Sequence, residues 1–144
     1  MTHAAAIGYD WLYRFLPSRD RAVVRKAIVE KGLKAGLEVY AVAGRWTKTE
    51  FNWNQVCNGG LTLGALAVAD KEPTIAREVL EAARASVPTA MASLGPDGGW
   101  AEGPSYWDYA TAYNVFYLAA LETSLGTDFG FTKMRGFAET GSAG

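Results

Sequence analysis

Three glycines, at positions 59, 60 and 64, stand inside a stretch of otherwise helical period, among Leu61, Leu63, Leu66 and Val68. Each interior glycine costs a helix up to ~1 kcal/mol relative to alanine, so the fold must return something at those positions. A missing side chain permits close approach of another backbone, or of a ligand. A chain built round such a helix, running from about Asn54 to Ala69, has to bring another backbone or a ligand in tightly.

Helical period extends over most of the remaining sequence. Ile7 to Leu16 places Trp11, Leu12, Phe15 and Leu16 on one side of a short helix that Pro17 ends. Ser18 is then the expected N-cap of a longer helix to about Val42, with an apolar stripe of Val24, Ile28, Ala35 and Val39. Pro73 fits the first turn of a further helix. Its inner face is expected to hold Ile75, Val79, Ala82, Ala83 and Val87, with Arg77, Glu78, Glu81 and Arg84 outside. Gly95-Pro96-Asp97-Gly98-Gly99 is a compound turn signal. The helix after it, to about Leu125, is apolar on nearly every side and reads as inner-layer.

Amphipathic helices therefore alternate with helices that lack a wet face. This predicts an all-α chain, residues 1–144 as one domain, in two layers of antiparallel hairpins: an incomplete (α/α) toroid. Phe129 to Gly144 is glycine-rich and offers no closing helix, so the ring stays open and the chain reads as a fragment of a larger protein. Such an unclosed apolar edge favours self-association.

Composition excludes several functions. Net charge is −1, which argues against nucleic acid as partner. The first 50 residues hold nine Lys/Arg against five Asp/Glu, and the rest hold five against ten, so an anionic partner must be held by local donors. One cysteine, Cys57, and one histidine, His3, are too few for a zinc site, and no cofactor or metal is expected. His3 sits at what should be a mobile chain start, which disfavours a Ser-His-Asp arrangement. No apolar run is long enough to span a membrane, and the start lacks the features of a secretory signal. The expectation is a cytoplasmic chain, or a periplasmic one with its leader removed.

Two segments carry chemistry. Gly-Arg-Trp-Thr-Lys-Thr-Glu-Phe-Asn-Trp-Asn, residues 44–54, has no helical stripe and reads as a loop entering the glycine helix. From it, Asn52, Asn54, Gln55 and Asn58 supply neutral donors for a carboxylate or sugar hydroxyls. The second segment, Asp97 to Tyr109, enters the last long helix. Trp53, Trp100 and Trp107 offer flat faces with an N–H handle for pyranose rings, and Tyr106 and Tyr109 are phenols able to exchange a proton. Blander readings stand beside these. Asn52 or Asn54 caps a helix, the tyrosines at 106, 109 and 113 form a core stripe, Glu102 is a dipole-favourable acid at a helix start, and Cys57 is inert packing.

Asn-Trp-Asn-x-Val-Cys-Asn-Gly-Gly, followed about forty residues later by Asp-Gly-Gly-Trp-x-Glu-Gly-Pro-Ser-Tyr-Trp-x-Tyr, resembles the heparinase II/III-like family of polysaccharide lyases, including its alginate-lyase members. The resemblance runs from roughly Tyr9 to the Gly-Phe-Ala-Glu-Thr-Gly at 136–141. It implies an N-terminal incomplete toroid, a following β-sandwich domain, and eliminative cleavage of uronate polysaccharides of alginate or heparan type. In that chemistry, donors such as Asn54, with Asn52 second, stabilise the charge that develops as the C5 proton leaves. A tyrosine serves as base, acid or both. By similarity Tyr109 is the first choice and Tyr106 the second, while Glu102 orients the site or binds hydroxyls. Trp53, Gln55, Asn58, Trp100 and Trp107 would contact substrate.

The family also employs histidines that this chain lacks, and the β-sandwich is absent, so little activity is expected of this piece alone. Two other readings remain: a glycoside hydrolase using Asp97, Glu102 or Asp108, and a non-catalytic helical module that binds carbohydrate or protein.

Overall fold

The computed structural model describes residues 1–141, and among them every regular element is helical. In order these are α1 (Thr2–Leu12), α2 (Ser18–Ile28), a π turn (Val29–Leu33), α3 (Lys34–Ala41), α4 (Asn52–Val68), α5 (Pro73–Met91) and α6 (Pro104–Leu125). Short 3-10 turns lie at Arg45–Lys48, Ala92–Leu94, Phe131–Lys133 and Glu139–Gly141. The all-α expectation is met. Ser142 to Gly144, part of the tail expected to lack a closing helix, fall outside the described residues.

Helix α4 is the hub, with α1, α5 and α6 packed round it. Its glycines explain how three helices share one axis so closely. A Cβ on Gly59 would sit 3.2 Å from the carbonyl oxygen of Tyr113 on α6, and one on Gly64 would sit 2.6 Å from Cγ2 of Thr2 on α1. Neighbouring helices, not a ligand, occupy the space these glycines leave. The four residues Ala69–Glu72 join α4 to α5, so the two pack as an antiparallel hairpin. One part of the core gathers Tyr9, Ile28, Leu33, Leu61, Val68 and Val79. The other joins Val87 and Met91 of α5 to Tyr117, Leu118 and Leu121 of α6, under Phe131.

The first helix starts and ends earlier than its sequence suggests, and it turns a different face inward. Ala6 and Tyr9 are buried, whereas Trp11 is 75% and Phe15 83% exposed, with Leu12 half-exposed. Thr2 comes within 2.6 Å of where a Gly64 Cβ would stand, which turns the Thr2–Ala6–Tyr9 face of α1 inward. Ser18 is the first residue of α2 and makes no capping bond; Pro17 holds the cap position.

The long helix is continuous from Ser18 to Ala41, but the π turn inserts a wider turn at its middle. The inward face is thereby delayed by one residue. Gly36 is buried in place of Ala35, which is exposed, and Val39 is only half-buried. Helix α5 follows its expected division, with Val79, Ala83 and Val87 inside and Arg77, Glu78, Glu81 and Arg84 outside, although Ile75 and Ala82 are only half-buried.

Helix α6 is not an inner-layer helix among the described residues. Ala110, Asn114, Tyr117, Leu118 and Leu121 are buried, while Tyr106, Tyr109, Val115, Phe116 and Leu125 stay exposed. Its apolar character on all sides exceeds what one supporting face uses.

Candidate functional site

The turn Arg45–Lys48 and the extended residues after it lead the chain into α4 at Asn52. Opposite them, Gly103 turns the backbone with φ +89° and Pro104 opens α6. Between the two lies a cleft of about 540 Å³. Arg45, Trp46, Thr49, Phe51, Asn52 and Trp53 line it from the first segment, and Glu102 and Tyr106 from the second. A larger hollow of about 860 Å³ lies between α2, α3 and the start of α5. Two ion pairs lie there, Arg25 with Glu72 at 3.3 Å and Lys34 with Glu30 at 2.7 Å, and none of the predicted residues lines it.

Glu102 clasps the two segments together. Its Oε2 accepts the backbone N–H of Asn52 at 2.7 Å, and its Oε1 accepts the Asn52 amide Nδ2 at 2.8 Å. The indole N–H of Trp100 donates to Oε2 at 3.2 Å. A carboxylate at the first N–H of a helix satisfies an orphan donor and complements the helix dipole. The acid therefore serves a helix start, as one reading held, but the start is that of α4 and not of its own neighbour α6. Asn52 spends its donor here, and its carbonyl Oδ1 is buried without a partner.

Asn54, the first choice for neutralising a carboxylate, has to be corrected. It is 0% exposed and lies inside the protein. Its Nδ2 donates to the Ser86 carbonyl and hydroxyl, each at 3.2 Å, and lies 3.4 Å from the Thr47 carbonyl. Asn58 continues the network: its Nδ2 donates to Asn54 Oδ1 at 3.1 Å and to Ser86 Oγ at 3.0 Å. Its Oδ1 accepts the Tyr40 hydroxyl at 2.5 Å. Ser86 Oγ closes the circuit by donating to Thr47 O at 2.7 Å. Gln55 is buried as well, with its Oε1 unpartnered. As placed, Asn54, Gln55 and Asn58 cannot touch a ligand. The first two links instead tie α4 to α5 and to the turn that carries Arg45.

The tryptophans divide. Trp53 is 56% exposed at the cleft, with the Arg45 guanidinium 5.5 Å from its ring centroid. Trp100 and Trp107 line a separate hollow of about 300 Å³ beside Gly98, Gly103 and Thr140. Trp107 donates to Thr140 Oγ1 at 2.5 Å, and Thr140 donates to the Gly98 carbonyl at 2.7 Å. This bond chain pins residues near 140 onto the turn. Only glycine suits position 98, where φ is +87° and a Cβ would lie 2.4 Å from Thr140 N.

Of the two predicted phenols, Tyr106 stands in the cleft wall and Tyr109 does not. Tyr109, 45% exposed one turn further on, meets Tyr113 edge-on at 5.3 Å. Burial first, then the charge and hydrogen bond of Tyr109, push the Tyr113 hydroxyl's pKa up. Beyond it lies a residue that sequence reasoning set aside. His3 belongs to α1, its Nδ1 is 3.3 Å from the Tyr113 hydroxyl, and its ring lies 5.3 Å from Phe116. Gly60, whose Cβ position is 3.7 Å from His3, marked a close neighbour without naming it.

Burial, and secondarily the α-ammonium, hold the His3 pKa below its usual value. A depressed histidine disfavours protonation in the folded state, so its cost is absent above about pH 6.5 and grows as pH falls below that. The urea midpoint should decline between about pH 7 and pH 5 in the native chain and decline less in His3→Gln. Equal slopes for the two proteins would refute the assignment. Cys57 is half-buried and its thiol is pushed up by burial, in keeping with packing and not reactivity.

Among the described residues no three His, Cys, Asp or Glu side chains are grouped to hold a metal ion, and no helix is long and apolar enough to cross a membrane. Among the described residues, fold and site together define an all-helical protein with an aromatic cleft clasped by Asn52 and Glu102. No protein-family model matches the chain, and no curated protein matches it in sequence.

Proposed function

We propose that this chain is the helical part of a polysaccharide lyase, an open (α/α) toroid whose cleft seats a uronate-containing polysaccharide for β-elimination. One observation carries the reading: the asparagine segment and the Glu102–Tyr106 segment, far apart in sequence, meet at a single cleft through the Asn52–Glu102 clasp. A sugar ring lies against Trp53, an apolar face with a polar rim. Tyr106 is the phenol within the cleft wall, so the proton-transfer role moves to it from Tyr109. In the reaction the phenolate takes the C5 proton, the electron pair forms the C4–C5 double bond, and the C4–O4 bond breaks. The phenol then gives its proton to the departing O4.

A hydrolase needs two carboxylates flanking the scissile bond. Among the described residues Glu102 is the one acid lining the cleft, and its oxygens already accept three donors. That observation disfavours hydrolysis and leaves a non-catalytic saccharide module as the second reading. Incubated alone with alginate or heparan sulfate, the chain should give little product, whereas joined to the β-sandwich that the family resemblance implies it should produce the ultraviolet absorbance of an unsaturated uronate. New reducing ends without that absorbance would point to hydrolysis. Saturable binding with no product at all would reduce the cleft to recognition.

A further inference from the structure

Among the described residues Arg45 is the one cation lining the cleft, and Glu102 the one anion. Ordinarily the two would pair. Here the Glu102 oxygens are occupied by Asn52 N–H, Asn52 Nδ2 and Trp100 Nε1. Among the described residues no carboxylate lies within ion-pair distance of Arg45, and its guanidinium rests over the Trp53 ring. A fork of N–H donors thus stands uncommitted at the mouth of a cleft whose own acid is satisfied. Beside it, Asn52 is 4% exposed and its Oδ1 is a buried acceptor with no donor. Buried acceptors of this kind are nearly always satisfied in folded proteins. A ligand hydroxyl would supply the missing donor.

We infer that Arg45 makes this cleft selective for an acidic sugar, pairing its guanidinium with the carboxylate while Asn52 Oδ1 accepts a hydroxyl of the same ring. The inference deepens the saccharide reading above and rests on it. Planar guanidinium and carboxylate match in a two-bond fork, a geometry that an ammonium cannot reproduce. Arg45 thereby takes over the carboxylate recognition first assigned to Asn54, which is sealed inside, and to Asn52, whose donor is spent. Trp53 holds the cation where a stacked ring would present its acid.

The test is calorimetric titration of the chain with trimannuronate and with its carboxyl-reduced, neutral counterpart at low salt. Native protein should prefer the acidic trisaccharide by about tenfold or more, the scale of a charge-assisted bond. In Arg45→Gln the ratio of the two affinities should collapse to about one, and Arg45→Lys should restore only part of it. Arg45 is exposed, so a melting curve suffices to show that each variant is folded. A ratio kept at the native value in Arg45→Gln would overturn the assignment while leaving a saccharide cleft. Equal native affinity for both sugars would overturn acid selectivity, again leaving the cleft. Binding of neither would overturn this inference and the saccharide reading together.

Discussion

Leucine in place of Asn58 is expected to lower the unfolding free energy by roughly 2–5 kcal/mol, the largest stability effect of any single change near the cleft. The side chains branch alike, but two methyls are bulkier than an amide oxygen and nitrogen, so overpacking adds to the loss of polar partners. Asn58 is 0% exposed and accepts the Tyr40 hydroxyl while donating to Asn54 Oδ1 and Ser86 Oγ. Without it, the Tyr40 O–H and the Asn54 carbonyl are stranded in the interior. Neither escapes by ionising, because burial already pushes the Tyr40 pKa far up. Ser86 keeps its bond to Thr47, which limits the damage on that side. Urea unfolding with an unchanged slope would measure the loss. A change under about 1 kcal/mol would mean the network is not satisfied as described. Because Thr47 lies in the turn that bears Arg45, ligand affinity should weaken in the same variant.

Tyr106→Phe removes one hydroxyl and almost no area, and in the chain joined to its β-sandwich it should lower eliminative turnover by about 10²–10⁴-fold with little change in KM. Tyr109→Phe should lose under about tenfold, since its ring stands outside the cleft wall and against Tyr113. The two phenols lie three residues apart, so only their placement, and not their chemistry, separates them. The opposite ranking would return the proton-transfer role to Tyr109 and move the reacting sugar one helical turn along α6. Equal, undiminished turnover in both variants would remove tyrosine from the mechanism.

Much of the architecture was legible in residue order. Pro73 and Pro104 open helices, the α4 glycines mark close helix approach, and the charged face of α5 points outward. That both chemistry-bearing segments stand at helix starts was legible as well. Side-chain direction within them was not. Asn52 and Asn54 are two residues apart, about 200° round a helix, so one turned to the cleft only if the other turned away. Either assignment was open until α5 and its Ser86 were placed beside Asn54. Trp53 and Trp107 look equivalent in the chain, yet one lies at the cleft and the other is spent on Thr140.

Helical period, glycine spacing and proline positions are local properties, and they determined by themselves that this chain is all-α with one tightly surrounded helix. Tertiary structure alone decided that Glu102 bonds α4, that Arg45 is left unpaired in the cleft, and that His3 rests on Tyr113. Each of those facts depends on which surface of one helix meets which surface of another. Chain order specifies such contacts only through the packing of the whole.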